Sequence, residues 1–147
     1  MKNQDALNGL RLDHIGIVVK ELESAANMQN QLHGLHKLTG IIYEPAHEVE
    51  VLFLGTGHGS LPMIELIAPL TDSSKVSGFL KKTGGGIHHL AYEVPDIESA
   101  IAHYRSVGSF MLGEIVPGAG HSNLPTVWIY NADKSLIELI QRGHHEE

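Results

Sequence analysis

Two histidines and two glutamates recur at nearly the same interval in this chain of 147 residues. Leu12-Asp13-His14-Ile15-Gly16-Ile17 is echoed by Ile87-His88-His89-Leu90-Ala91-Tyr92, and Ile64-Glu65-Leu66-Ile67 is repeated letter for letter as Ile137-Glu138-Leu139-Ile140. Imidazole nitrogen and carboxylate oxygen, without sulfur, form a donor set suited to a divalent first-row ion at an octahedral site that keeps positions open for water or substrate. Co, Ni, Mn, Fe and Zn all fit that description. A glutamate set inside an apolar run also needs a partner, because a buried carboxylate without one is costly. A metal ion meets that need, and so does a histidine hydrogen-bonded across adjacent strands. The register of the duplication favours the metal.

Alternation along a strand puts His14 on one face with Gly16 and Val18, leaving Ile15, Ile17 and Val19 to pack on helices. The same rule sends His88 to the face opposite His89. Glu65 and Glu138 stand opposite their Ile and Leu neighbours. His33, His36, His58 and His103 read as surface residues, whereas His47 and His121 lie in or beside loops that could border a pocket.

The elements that must position these residues follow from the repeat. Residues 12–19 and 87–94 read as strands. A helical pattern follows each, with Leu22, Ala25, Ala26 and Leu32 on the apolar face of the first. Asp96 is the expected N-cap of the second, whose core face is Ile97, Ala100, Ile101 and Tyr104. Further strands are expected near 38–44, 48–55 and 61–68, and near 108–115, 125–131 and 135–141. Each half is therefore βαβββ, and the fold class is α+β in a single domain over 1–147, with modules at about 11–70 and 86–142. The connector from Pro69 to Gly86 carries a short helix around Ser74–Lys81. Residues 117–123 are expected to form a mobile rim loop.

Composition sets the outer bounds. An apolar fraction of 42% with 18% charged residues is that of a globular domain. With no cysteine there is no disulfide, thiolate site or cysteine nucleophile, and a cytoplasmic location is expected. No apolar run approaches a membrane span, so no membrane partner is expected. The formal charge of −7 argues against nucleic acid, while Lys81-Lys82 offers a local cluster able to steer an anionic ligand. His144-His145-Glu146-Glu147 reads as a solvated tail.

Leu12-Asp13-His14-Ile15-Gly16-Ile17-Val18-Val19, Ile64-Glu65-Leu66-Ile67-Ala68-Pro69-Leu70 and Gly85-Gly86-Ile87-His88-His89-Leu90-Ala91-Tyr92-Glu93-Val94 resemble the vicinal oxygen chelate (glyoxalase/bleomycin resistance/dioxygenase) superfamily. Within it the chain is most similar to the methylmalonyl-CoA epimerase family. The resemblance covers about residues 11–141 and implies paired βαβββ modules in a cupped mixed sheet around one divalent metal, with ligands His14, Glu65, His89 and Glu138. It implies a metal-dependent epimerase or isomerase that exchanges a proton alpha to a thioester carbonyl of a small acyl-CoA-like substrate. Glu138 would be one base, and the partner a second copy of the chain in a homodimer. The family's other base is a glutamate just before the third strand, where this chain has Ala46, with His47 and Glu48 as nearby substitutes. Two further segments depart: Ala26-Asn27-Met28-Gln29-Asn30 lacks the family's Phe-Tyr pair, and Val127-Trp128-Ile129-Tyr130-Asn131 replaces its Phe-(Leu)-His-Pro. A glyoxalase I-type lyase is the first alternative, and a non-catalytic small-molecule-binding or resistance protein the second. An extradiol dioxygenase needs only two histidines and one glutamate.

Overall fold

The computed structural model describes residues 7–56 and 62–143. His58, residue 61 at the start of one expected strand, and the 144–147 tail lie outside the described residues. The chain divides into two compact units, one spanning His14–His88 and the other built from the residues up to Asp13 together with those from His89 onward.

The first unit is organised by β1 (Arg11–Val18), which crosses the unit boundary, then α1 (Leu22–His33), β2 (His36–Lys37), β3 (Ile42–Glu44), β4 (Val49–Gly55), β5 (Met63–Pro69) and α2 (Lys75–Thr83). β1 pairs parallel to β5, β5 antiparallel to β4, and β4 antiparallel to both β2 and β3. Of the strand expected near 38–44 only Ile42–Glu44 forms, preceded by the short β2 at His36–Lys37. Thr39 explains the break: its hydroxyl accepts the Phe53 N–H at 3.2 Å and donates to the Gly40 carbonyl at 2.8 Å. A side chain takes over one rung of the backbone ladder there, as local polar groups commonly do.

Helix α1 begins where the Glu21 carboxylate accepts the Ser24 N–H at 3.0 Å, and it stops at Gly34, whose φ of +70° is a left-handed conformation that favours glycine. Its Leu22 and Ala26 pack with Leu52, Leu54, Leu66 and Ala68, with Ile17 and Val19 alongside. This is the helix-facing side expected for Ile17 and Val19. Leu32, expected on the same apolar face, is at its margin and is exposed. On the opposite side of the sheet Val18, Val49, Val51, Phe53 and Ile67 pack with Val76 of α2.

The second unit contains the greater part of β6 (Gly86–Val94), then α3 (Ile97–Ser106), β7 (Phe110–Gly118), a 3₁₀ turn (Ala119–His121), β8 (Leu124–Tyr130) and β9 (Leu136–Gln141). β6 runs parallel to β9, and β9 to β8 and β8 to β7 are antiparallel. The βαβββ order is as expected. Asp96 caps α3, accepting from Glu98 N at 3.2 Å and Ser99 Oγ at 2.8 Å. Ile97, Ala100 and Ile101 join Val94, Val127, Ile129, Ile137 and Leu139 in one core, with Tyr104 against it. β7 runs three residues beyond its expected end. The pairing slips between Leu112 and Val116, a bulge that Gly113 accommodates at φ +80°.

The same unit buries a charge cluster. Glu93 and Asp13 are fully buried. Arg11 reaches Glu93 Oε1 through Nε at 3.1 Å and through its terminal nitrogen at 2.8 Å. Arg142 bridges the other Glu93 oxygen and Asp13 Oδ1, the latter at 2.8 Å. Burial, the largest influence, pulls the Arg142 guanidinium down. The hydrogen bond and charge of Asp13, then those of Glu93, outweigh it, and its pKa is raised above the ordinary arginine value.

Two histidine–glutamate pairs as a candidate metal centre

Each unit holds one His–Glu pair on adjacent parallel strands. In the first, register sets Gly16 of β1 beside Glu65 of β5. His14, on the same face two residues earlier, places Nε2 3.0 Å from Glu65 Oε1. Both side chains are buried. Phe53, the antiparallel partner of Glu65 on β4, meets the His14 ring edge-on with centroids 5.5 Å apart.

The second unit repeats this plan. Ala91 of β6 is beside Glu138 of β9, and His89, two residues earlier, places Nε2 3.9 Å from Glu138 Oε1. Trp128, the antiparallel partner of Glu138 on β8, meets the His89 ring edge-on at 4.7 Å. The duplication therefore includes an aromatic wall that the sequence reading missed. Phe53 and Trp128 are separated by the same interval as the two histidines, which was a usable signal. His88 faces away as alternation requires, against Phe79 at 5.0 Å.

The donor set fits a divalent ion. It is nitrogen and oxygen only, each atom on a strand whose position backbone hydrogen bonds fix. Atoms about 2.1 Å from a common ion lie about 3.0 Å apart when adjacent in an octahedron, which matches the His14–Glu65 separation. The described residues therefore include groups able to hold a metal ion. Burial removes competing water and strengthens any charge interaction at the pair.

His121 is the larger surprise. Instead of bordering a loose loop, it ends the 3₁₀ turn and is buried, with Nε2 3.6 Å from Glu138 Oε1. The turn is closed by the Asn123 N–H on the Gly118 carbonyl at 2.9 Å, so the expected rim loop of 117–123 shortens to 119–123. Of the histidines expected at the surface, His33 and His36 are exposed. His103 is half-buried against Tyr104, and its Nδ1 is a buried atom with no hydrogen-bond partner.

Glu48 and Ala46 lie on the turn before β4. Ala46 is exposed. Glu48 has φ +55°, a conformation more natural to glycine. Its Oε1 accepts from both the Ser73 and Thr71 hydroxyls at 2.5 Å, and these bonds, Ser73 first, hold its carboxyl below the usual glutamate range. Among the anion-steering candidates, Lys81 lies 3.7 Å from Asp72.

Residues 13–124 match the family model described as the glyoxalase/bleomycin resistance protein/dioxygenase superfamily. The chain is 37% identical over 136 residues to the ethylmalonyl-CoA/methylmalonyl-CoA epimerase of Cereibacter sphaeroides, covering 89% of this chain and 97% of that protein. It is 32% identical to the human mitochondrial methylmalonyl-CoA epimerase, covering 89% of this chain and 73% of that one. The crystal structure of methylmalonyl-CoA epimerase from Mycobacterium tuberculosis superposes with a TM-score of 0.77 at 31% identity, covering 88% of this chain and 85% of that chain. The mixed sheet with its three helices is the vicinal oxygen chelate fold, and the chain belongs to the glyoxalase/bleomycin resistance/dioxygenase superfamily, among the methylmalonyl-CoA epimerases.

Proposed function

We propose that this protein is a metal-dependent epimerase that moves a proton at the carbon alpha to a thioester carbonyl, with a methylmalonyl-CoA-like acyl-CoA as substrate. The observation that carries the reading is the duplicated pair: one buried histidine, one buried glutamate and one aromatic wall in each unit. The epimerase relatives support the substrate class. The family resemblance assigns His14, Glu65, His89 and Glu138 as the residues that would hold a divalent metal, which would supply positive charge for stabilising negative charge that develops on the substrate.

The chain's own groups supply the rest. Glu138, a buried carboxylate on β9, is one base. Glu48 is the candidate for the second base. It would act only after Thr71 and Ser73 release it, since their bonds lower its basicity. Phe53 and Trp128 keep water from the imidazoles and fix their ring planes.

Deuterium wash-in at the alpha carbon of methylmalonyl-CoA, followed by NMR in D₂O with Co²⁺-loaded and EDTA-stripped protein, tests this directly. Exchange that needs the metal is expected. No exchange from protein that holds its metal would reject the substrate class. Because Ala46 is exposed, a longer side chain there meets no packing penalty. Ala46→Glu is expected to raise the rate of epimerisation by about tenfold or more, within the range of one added general base. An unchanged rate would remove this turn from the mechanism.

We also propose a homodimer. β7 is an outer strand of its unit with Phe110, Leu112 and Val116 exposed, an apolar edge of the kind that proteins normally cover. A cytoplasmic location fits the cysteine-free sequence, and no helix among the described residues is long and apolar enough to cross a membrane.

A further inference from the structure

We infer that Trp128 sets the upper size limit for the substituent on the substrate's alpha carbon, and so selects among alkylmalonyl thioesters. The inference rests on the epimerase reading above, with Glu138 as a base. A base must come within about 3 Å of the atom whose proton it removes. The first atom of a substituent lies one carbon–carbon bond, about 1.5 Å, from that atom. The substituent therefore lies against the side chains that surround Glu138 on its own face of the sheet. Alternation and register name four in this unit: Leu136 and Ile140 along β9, Ala91 beside it on β6 and Trp128 beside it on β8.

Burial separates the four. Ala91 and Ile140 are fully buried, whereas Trp128 and Leu136 keep part of their surface exposed. Directly opposed antiparallel residues hold their Cβ atoms about 5 Å apart, so the indole is the largest group next to the carboxylate with surface left to offer. Its position is fixed. The ring meets His89 edge-on at 4.7 Å, and Val127 and Ile129 on either side are buried in the core under α3. Tryptophan also has only two side-chain torsions to restrict, which makes it a stiff wall. The duplication sharpens the contrast. Phe53 holds the matching place beside Glu65, but it is 2% exposed and packs with Val51 and Ile67. One aromatic is sealed within its unit, and the other presents a face to a ligand.

Trp128 is the only tryptophan in the chain, so its emission reports on this position alone. The first measurement uses the full wild-type chain loaded with Zn²⁺, a closed-shell ion. It is titrated with racemic methylmalonyl-CoA, whose composition epimerisation leaves unchanged, and with free coenzyme A, while calorimetry follows binding. A blue shift of the emission at saturation with the thioester, and none with free coenzyme A, is expected. Thioester binding without a shift, or equal shifts from both ligands, would overturn the placing of the indole at the acyl group.

The second measurement follows deuterium wash-in for methyl-, ethyl- and propylmalonyl-CoA with Co²⁺-loaded wild type and Trp128→Phe at matched metal content. The ratio of propyl to methyl kcat/KM is expected to rise about tenfold or more in the variant, which is the effect of one methylene in an apolar pocket. An unchanged ratio would overturn the role of Trp128 and leave the epimerase reading intact. No exchange of any thioester by wild-type protein that holds its metal would overturn both. The emission is read on wild type, so it decides the matter even if the variant folds poorly.

Discussion

Glu138→Gln is expected to lower metal-dependent proton exchange by roughly two to four orders of magnitude, the range associated with loss of a positioned general base. The substitution preserves shape, and an amide oxygen remains a possible though weaker ligand. What disappears is a buried carboxylate able to accept a proton. Its strand is central to its unit, lying between β6 and β8, and Leu139 beside it is fully buried, so the backbone has little reason to move. The check is the deuterium exchange rate at matched metal occupancy, with a thermal melt to confirm folding. A rate within a few-fold of wild type would end the assignment of Glu138 as the base. Reduced metal content that fully accounts for the lost rate would leave it a ligand only.

The second large effect is on stability. Arg142→Met should destabilise the protein by about 3–5 kcal/mol, because it leaves Glu93 and Asp13 buried with less compensation. For a chain of this size that is a fall in Tm of roughly 10 °C or more. The loss comes from stranded charge and not from the missing attraction alone, so it should be partly reversed when Glu93→Gln and Asp13→Asn are added. An exposed pair makes the comparison. Lys37 and Glu23 lie 2.7 Å apart at the surface, and Lys37→Met should change stability by no more than about 1 kcal/mol. Equal effects of the two substitutions, read from denaturant unfolding, would show that burial of the Arg142 cluster does not govern its worth.

The parts of this protein that were legible in the sequence share a property: they repeat, or they obey a strand or helix period. Ile-Glu-Leu-Ile occurs twice, and that alone singled out Glu65 and Glu138 as strand residues facing away from their apolar neighbours. Asp96 announced α3 because an N-cap is a local signal. Side-chain intervention hid the rest. Thr39 splits a strand by using its hydroxyl in place of a backbone group, and nothing in the apolar pattern of 38–44 reports that. His121 reaches Glu138 only because Gly118, Ser122 and Asn123 fold the chain tightly around it, and such conformations leave no periodic trace. Phe53 and Trp128 were overlooked although their spacing equals that of the histidines, since Val51-Leu52-Phe53-Leu54 and Thr126-Val127-Trp128-Ile129 share few letters. Arg11, Asp13, Glu93 and Arg142 carry no local signal that pairs them, because the fold gathers them from three distant segments.

That gathering has a consequence for how the duplication can be handled. Glu93 belongs to the second copy, but its partner Arg11 and its neighbour Asp13 come from the opening stretch of the chain. Cutting the polypeptide between the copies would therefore release an incomplete latter half: a fragment starting at Gly86 keeps Arg142 and forfeits Arg11. The repeat marks how the sequence is composed and not where it can be divided, and a permuted chain that opens beyond Asp13 would have to carry residues 11–13 along with the later copy.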